Sequence, residues 1–189
     1  LDSLDEAEQA VTSLQSKPQG KIKLTASVTH GEQQILPLVN DFVRLHPAIE
    51  VTAQLSNQRV DLIEEGFDLA IRLGKLSDSS MIARKLSTRR HYLCASPSYL
   101  QRCGTPHSLS ELTQHNCLLG TRDYWRFHEA GSDRNIRVSG RLRYNSGQAL
   151  ADAALKGLGI VQLPDYYVAP HLASGALLSL LEAQREPEE

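Results

Sequence analysis

Residues 60–74 read VDLIEEGFDLAIRLG, and this stretch carries the most information about the fold. The start of this stretch, together with the two residues before it, predicts a short helix over 58–65, and Gly66 predicts a tight turn after it. The apolar run that follows predicts a buried strand over 67–73. A helix that leads through a tight turn into a buried strand is one step of an α/β fold.

The residues before this stretch predict the same step once more. Apolar and polar residues alternate over 21–28 and again over 49–55, which predicts two strands. A helix is predicted between them, with Pro37 either early in it or kinking it, and with His46-Pro47 at its end. One face of that helix is apolar and carries Ile35, Leu38, Val39 and Phe42. A strand, a helix and a strand within about 30 residues form a βαβ unit, so the two strands should be parallel.

The residues beyond Gly74 predict a second set of elements. The predicted strands are 82–86, 90–95, 117–120, 125–127, 136–144 and 159–164. The predicted helices begin at Ser96-Pro97, at a capping box over 108–111, and at Gly147, the last of them ending before Gly157. This order predicts two α/β lobes, each with a mixed, mostly parallel sheet flanked by helices. The second lobe is inserted into the first, with crossings near Ala95-Ser96 and Leu163-Pro164.

Composition and charge exclude several classes of protein. The chain has 189 residues, a hydrophobic content of 41%, a charged content of 22% and a net charge of -2. These values are ordinary for a globular domain, and no clustered basic patch indicates a DNA-binding face. No apolar run approaches the ~20 residues that a membrane-spanning helix needs. The acidic start of the chain does not resemble a secretory signal.

Patterns typical of catalysis or metal binding are missing from the sequence. It contains no GxSxG, P-loop, HExxH or GxGxxG motif, and the seven histidines show no ligand spacing. Cys94, Cys103 and Cys117 lack CxxC spacing, which favours reduced thiols in a cytoplasmic protein over disulfides or zinc ligands. We therefore expect no enzyme activity, no metal and no cofactor.

Polar turns follow the predicted parallel strands, and ligands of open α/β sheets bind outside the carboxyl ends of such strands. Three of these turns start a predicted helix, where free N–H groups and the helix dipole favour an anion. The sequence therefore predicts a site for a small anion, with a carboxylate as the leading candidate, in a cleft between the lobes. The candidate residues are Ser27, Thr29, His30, Gly31, Ser56, Asn57, Arg72, Gly74, Asn145 and Ser146.

The candidate residues also have ordinary structural interpretations. Serine, threonine and asparagine at helix starts are common N-caps. His30 could make ligand binding pH-sensitive near neutrality, or could be a half-buried, hydrogen-bonded imidazole. Arg72 could face a carboxylate ligand, or could pair with Asp68 on the same face of its strand. Trp125 and Phe127 could line the mouth of the cleft, and core packing is the alternative for Trp125.

Four motifs resemble the effector-binding domain of LysR-type transcriptional regulators. They are DLIEEGFDLAIRLG at 61–74, HPAIEV at 46–51, CASPSYL at 94–100 and ALKGLGIVQLP at 154–164. The resemblance extends from about residue 20 to residue 182 and implies a fold of the periplasmic-binding-protein type. It also implies a cytoplasmic sensor that binds a small-molecule effector and catalyses nothing. Within the family, effectors are usually held by the turns that match Ser27–Gly31, Ser56-Asn57 and Asn145-Ser146.

The resemblance further implies a division of the chain and a set of partners. Residues 1–16 would be the end of a linker helix, with an ordinary terminal helix as the alternative. Residues 17–95 and 164–189 would form regulatory lobe I, and residues 96–163 regulatory lobe II. Homodimers or homotetramers are expected, in which the helix at 33–45 meets the helix near 58–65, or its equivalent, of a partner. Promoter DNA would be bound only through a missing N-terminal domain.

Two expectations accompany the resemblance. The alternative function is that of a free-standing solute-binding protein, which shares the two-lobed fold; a linker helix is the feature that favours a regulator. Family members continue past Leu180-Leu181 into another strand and a helix, whereas this chain continues into EPEE at 186–189. Lobe I is therefore expected to be incomplete here or to differ from the family at this end.

Overall fold

Three parallel strands form the sheet of the first part of the chain. The computed structural model describes residues 17–58, 60–73 and 82–188, so the predicted linker helix 1–16 and Gly74 lie outside the described residues. The strands β1 (Gly20–Ala26), β2 (Ile49–Leu55) and β3 (Leu69–Ile71) lie in the order β2-β1-β3. β1 pairs in parallel with both neighbours, from Gly20↔Ile49 to Ala26↔Leu55 on the β2 side. The predicted parallel βαβ unit is therefore confirmed.

One helical stretch connects β1 to β2 and changes its geometry along its length. It runs as α1 (Val28–His30), a π-helical segment (Gly31–Ile35) and α2 (Leu36–Leu45). Pro37 lies in the first turn of α2, directly after the π-helical segment. The predicted apolar face is present, but it is largely exposed. Leu38 and Leu45 are each 67% exposed, and Phe42 is 39% exposed.

The helix predicted over 58–65 is wrong over the part that the structure describes. Residues 60–66 form a single turn in which the Asp61 carboxylate accepts the backbone N–H groups of Ile63 and Glu64. Glu65 N–H donates to the Asp61 carbonyl at 3.0 Å, and Gly66 then adopts φ +66°. A left-handed glycine ends helices, so the chain leaves the turn and enters β3.

The chain divides into two compact units, residues 1–76 and residues 77–189. In the second unit, β4 (His91–Ala95) is the central strand of an antiparallel sheet, between β7 (Val161–Pro164) and β8 (Leu178–Leu180). β5 (Tyr124–Glu129) and β6 (Ser132–Arg137) form a hairpin. The helices are α3 (Pro97–Cys103), α4 (Gly147–Leu155) and α5 (Asp165–Ala173), with 3-10 segments at Ser110–Gln114 and Glu182–Gln184.

The hydrophobic core of the second unit consists of two buried clusters. One contains Trp125 and Phe127 of β5 together with Leu93, Leu112 and Ile160. The other lies around α4 and includes its buried leucine and alanine residues. Trp125 is 5% exposed and Phe127 is 2% exposed, so the core interpretation of Trp125 is confirmed, and Phe127 is a core residue as well. Among the described residues of the first unit, the buried ones are Leu24, Thr25, Ala26, Gly31, Ile49 and Phe67.

Several predicted boundaries in the second unit are wrong. Residues 82–86 form no strand, and Ile82 and Leu86 are 99% and 73% exposed. The strand predicted over 136–144 is replaced by β6, because Ala130 and Gly131 adopt positive φ and close a tight hairpin that starts β6 at Ser132. The segment 117–120 forms isolated parallel bridges, Cys117↔Ile160 and Leu119↔Arg143, instead of a strand.

Two strands of the structure end at the predicted lobe boundaries, and the division into lobes stays a prediction. β4 ends at Ala95, and β7 ends at Pro164, the positions at which the chain is predicted to cross between lobes. These two strands pair antiparallel, from His91↔Pro164 to Cys94↔Val161. An inserted lobe requires that the chain leave the first lobe along one strand and return along a neighbouring strand that runs in the opposite direction. Division into residues 17–95 with 164–189, and 96–163, therefore remains the proposed organisation.

Candidate functional site

The carboxyl edge of the first sheet brings together most of the predicted site residues. Ser27, Thr29, His30 and Gly31 follow β1, Ser56 and Asn57 follow β2, and Arg72 follows β3. Because β1 pairs in parallel with both neighbours, these three strand ends lie at one edge. The structure therefore groups seven of the ten predicted residues within the first unit.

Ser56 and Asn57 have structural partners at this edge. The Asn57 carboxamide oxygen accepts the backbone N–H of Val28 at 3.0 Å and so caps the start of α1 from the neighbouring strand end. The Ser56 hydroxyl accepts the backbone N–H of Gln58 at 3.1 Å, which closes a local turn. Both side chains therefore have partners within the protein, although neither caps a helix that it precedes.

Ser27 behaves differently, because its side chain does not cap the helix that it precedes. The Ser27 carbonyl accepts the Gly31 N–H at 2.7 Å, but its hydroxyl forms no capping bond. That hydroxyl oxygen is buried and has no hydrogen-bond partner among the described residues. A buried hydroxyl without a partner is costly in a folded protein, so Ser27 is a candidate for a bond to a bound ligand.

Arg72 spans the ends of all three strands. It follows β3, donates from Nη2 to the Thr25 hydroxyl of β1 at 3.2 Å, and donates from Nη1 to the Ser56 carbonyl after β2 at 2.7 Å. The interpretation that Arg72 pairs with Asp68 is wrong, because the Asp68 carboxylate accepts the backbone N–H of Lys23 at 2.8 Å instead. Among the described residues, Arg72 contacts only neutral acceptors and remains half-buried.

Thr25 is a site residue that the sequence did not reveal. It occupies a polar position of an alternating strand, where an exposed side chain is the ordinary expectation. In the structure it is fully buried on the central strand of its sheet, and its hydroxyl accepts a hydrogen bond from Arg72. Its partner, Arg72, lies 47 positions further along the chain, and no local pattern links the two.

Gly31 allows a close approach, although to the protein itself. A Cβ at this position would lie 2.5 Å from Leu55 Cδ2 and 3.3 Å from Ala26 Cβ. Gly31 is buried and starts the π-helical segment, a geometry that is frequent at functional sites. His30 is half-buried at the end of α1, beside this segment.

Asn145 and Ser146 lie in the second unit, at the start of α4. The Ser146 hydroxyl accepts the Ala149 N–H at 3.3 Å, so Ser146 is an N-cap, and Asn145 is exposed. Gly147 lies against the Tyr167 ring, whose nearest carbon would be 2.4 Å from an added Cβ. The convergence of these residues with those of the first sheet on one ligand stays a prediction.

Three other features of the described residues bear on function, namely potential metal ligands, helix length and thiol burial. They contain no cluster of three potential metal ligands, and none of their helices is long and apolar enough to cross a membrane. Burial raises the pKa of the Cys94 and Cys117 thiols to about 12, whereas Cys103 is exposed. No disulfide is present among these cysteines.

Comparisons with known proteins identify the family. The model of the LysR substrate binding domain matches residues 15–188, and the chain therefore belongs to this family. It is 33% identical over 176 residues to the HTH-type transcriptional activator TtdR of Escherichia coli K12, covering 90% of this chain and 57% of the relative. It is 30% identical to the HTH-type transcriptional regulator DmlR of the same strain, covering 99% of this chain and 62% of the relative. The chain thus spans less than two thirds of these relatives.

Solved structures agree with this assignment. The regulatory domain of CrgA, a LysR-type transcriptional regulator from Neisseria meningitidis, superposes with a TM-score of 0.76 at 33% identity, covering 90% of this chain and 86% of that domain. The full-length virulence activator AphB from Vibrio cholerae gives a TM-score of 0.81 at 28% identity, covering 99% of this chain and 65% of AphB. The predicted α/β fold of the periplasmic-binding-protein type is confirmed.

Proposed function

We propose that this chain is the effector-sensing region of a LysR-type transcriptional regulator and that its effector is a small carboxylate. The observation that carries the proposal is the Arg72 guanidinium, which is half-buried at the carboxyl edge of the first sheet and whose hydrogen bonds to the described residues go to neutral acceptors. A guanidinium is always charged and matches a carboxylate with two parallel hydrogen bonds. A carboxylate ligand would supply the countercharge that the described residues do not.

Ser27 supports the same proposal from the neighbouring strand end. Its buried hydroxyl lacks a partner, and a carboxylate oxygen would accept a hydrogen bond from it. Thr29 follows on α1, half-buried and without a side-chain hydrogen bond to the described residues, and offers a second hydroxyl. Each hydrogen bond that involves a charged group contributes about 1.5–3 kcal/mol, so a few such contacts account for specific binding of a small acid.

The sensor has no catalytic role in this proposal. The relatives are transcriptional regulators by name, and binding alone is sufficient for a sensor. An effector can shift a regulator only if it binds two arrangements of the protein with different affinity. We infer that this shift changes how copies of the chain assemble, in the cytoplasm, and thereby the spacing of DNA-binding domains outside this chain.

The exposed face of α2 supports self-association. Leu38 and Leu45 are 67% exposed on a helix whose residues are all at least partly open to solvent. An uncovered apolar helix face favours contact with another protein surface, and the face is proposed to meet a second copy of the chain. The predicted counterpart near 58–65 is a turn, not a helix, and Ile63 is 76% exposed there.

Sedimentation velocity tests this assembly. Leu38→Asp and Ile63→Asp should each weaken self-association, because each places a charge in the proposed contact. Ile82→Asp is the matched control, since Ile82 is 99% exposed and lies outside that contact. A wild-type chain that sediments as a monomer at high concentration would contradict the proposed assembly.

Thermal unfolding against a panel of small carboxylic acids tests the sensing function. An acid present at about 100 times its dissociation constant should add roughly 2.7 kcal/mol to stability. Mass spectrometry after incubation should recover each stabilising acid intact, whereas a consumed acid would identify an enzyme. Thr29→Val should weaken the shift, and Ser146→Ala tests the predicted contribution of α4. A panel without any stabilising acid would remove the case for a carboxylate effector.

A further inference from the structure

Thr25 is the only residue of β1 that is both polar and fully buried, and its hydroxyl has a specific partner. Its side chain is 0% exposed, and its backbone lies between Gln54 of β2 and Ala70 of β3. The hydroxyl oxygen accepts the Arg72 Nη2–H at 3.2 Å. A buried hydroxyl needs a hydrogen-bond partner, and the half-buried Arg72 guanidinium supplies the donor.

The bonds to Thr25 and Ser56 fix both terminal nitrogens of Arg72. Nη1 donates to the Ser56 carbonyl, and Nη2 donates to Thr25. A guanidinium carries five N–H donors, and five minus these two leaves three for other acceptors. With both nitrogens held, the plane of the guanidinium cannot turn freely about its terminal bonds.

We propose that Thr25 is a positioning residue for anion binding: it holds the Arg72 guanidinium in one orientation so that its remaining donors meet a ligand carboxylate together. This inference rests on the proposed carboxylate-sensing function. Bidentate recognition depends on the direction of the guanidinium plane, and a preorganised donor loses less entropy on binding. Thr25 acts only through Arg72 and does not contact the ligand.

The two substitutions that separate this role from packing are Thr25→Val and Thr25→Ser. Valine has the same shape as threonine and favours strands, but it removes the hydroxyl. Serine retains the hydroxyl and removes a methyl group. A packing role predicts that the serine variant is the more perturbed one, whereas the positioning role predicts that the valine variant is.

Arginine side-chain ¹⁵N NMR on the whole chain measures the orientation of the guanidinium directly. The Arg72 signals are assigned by their loss in Arg72→Lys. Separate, slowly exchanging Nη–H signals are expected in the wild type and in Thr25→Ser, and averaged signals in Thr25→Val. Backbone amide spectra confirm that each variant is folded. Equal Arg72 signals in the wild type and Thr25→Val would overturn the positioning role.

Titration with succinate, followed on the Arg72 Nε–H signal, measures the consequence for binding. The apparent affinity for succinate should fall about tenfold in Thr25→Val and return in Thr25→Ser. Unchanged affinity in Thr25→Val would also overturn the positioning role. If Thr25 immobilises Arg72 but succinate leaves its signal unchanged, the anchoring of Arg72 stands while carboxylate binding at Arg72 fails.

Discussion

Substitution of Gly31 by alanine should destabilise the protein through a contact with Leu55. A Cβ at Gly31 would lie 2.5 Å from Leu55 Cδ2 and 3.3 Å from Ala26 Cβ. Carbon atoms are most stable about 3.5–4.0 Å apart, so Leu55 would have to move by about 1 Å. Overpacking of this kind costs about 1–3 kcal/mol. Alanine in place of a helical glycine gains about 1 kcal/mol. The free energy of unfolding should therefore fall by about 1 kcal/mol.

A double-mutant cycle in urea unfolding isolates the contact that causes this loss. Leu55→Ala removes the obstructing methyl groups, so in that background Gly31→Ala should stabilise the protein by about 1 kcal/mol, the helix-propensity gain alone. The coupling between the two sites is then about 2 kcal/mol. Gly120→Ala is the matched control, because its Cβ would meet only Leu150 Cδ1 at 4.0 Å. An effect of Gly31→Ala that is the same in both backgrounds would refute the steric reasoning.

Three further predictions concern side chains near the strand ends and in the core. Ser27→Ala should raise the free energy of unfolding by about 1–3 kcal/mol, because it removes a buried hydroxyl that has no partner in the folded protein; a loss of stability in urea unfolding would reveal a hidden partner. Asn57→Ala should cost about 1 kcal/mol, and Asn57→Asp, which keeps an acceptor for the helix start, should recover most of it. At pH 8 only Cys103 should react with a thiol reagent, because burial raises the pKa of the other two thiols to about 12 and keeps them protonated, and all three should react after unfolding. Reaction of more than one thiol in the native protein would contradict the buried positions.

Local sequence patterns predicted correctly the elements whose geometry depends on residues close together in the sequence. The alternation over 49–55 predicted β2 with the bounds that the structure has. Gly157 marked a helix end, and it adopts φ +71° just after α4. The same rules failed where a side chain decides the local outcome. The sequence predicted a helix over 58–65, whereas Asp61 caps a single turn there.

The candidate site was predictable in location and not in detail. Parallel strands bring their carboxyl ends to one edge, so the topology alone grouped Ser27, Asn57 and Arg72. The partners of these residues follow from tertiary packing, which no short pattern encodes. Arg72 bonds to Thr25, 47 positions away, and Asn57 caps a helix 29 positions before it. Sequence periodicity therefore predicted that these residues lie at one edge of the sheet. Only the structure shows that Asn57 caps a helix and that the Ser27 hydroxyl has no partner among the described residues.

The most direct test of the central claim is calorimetric titration of the most stabilising carboxylate into the wild type, Arg72→Gln and Arg44→Gln. Arg44 is the matched control, because it is an exposed arginine paired with Asp41 at 3.5 Å on α2. We expect Arg72→Gln to weaken binding at least tenfold, since a hydrogen bond to a charged group is worth about 1.5–3 kcal/mol, and Arg44→Gln to bind like the wild type. Equal affinity in the wild type and Arg72→Gln would contradict carboxylate binding by Arg72.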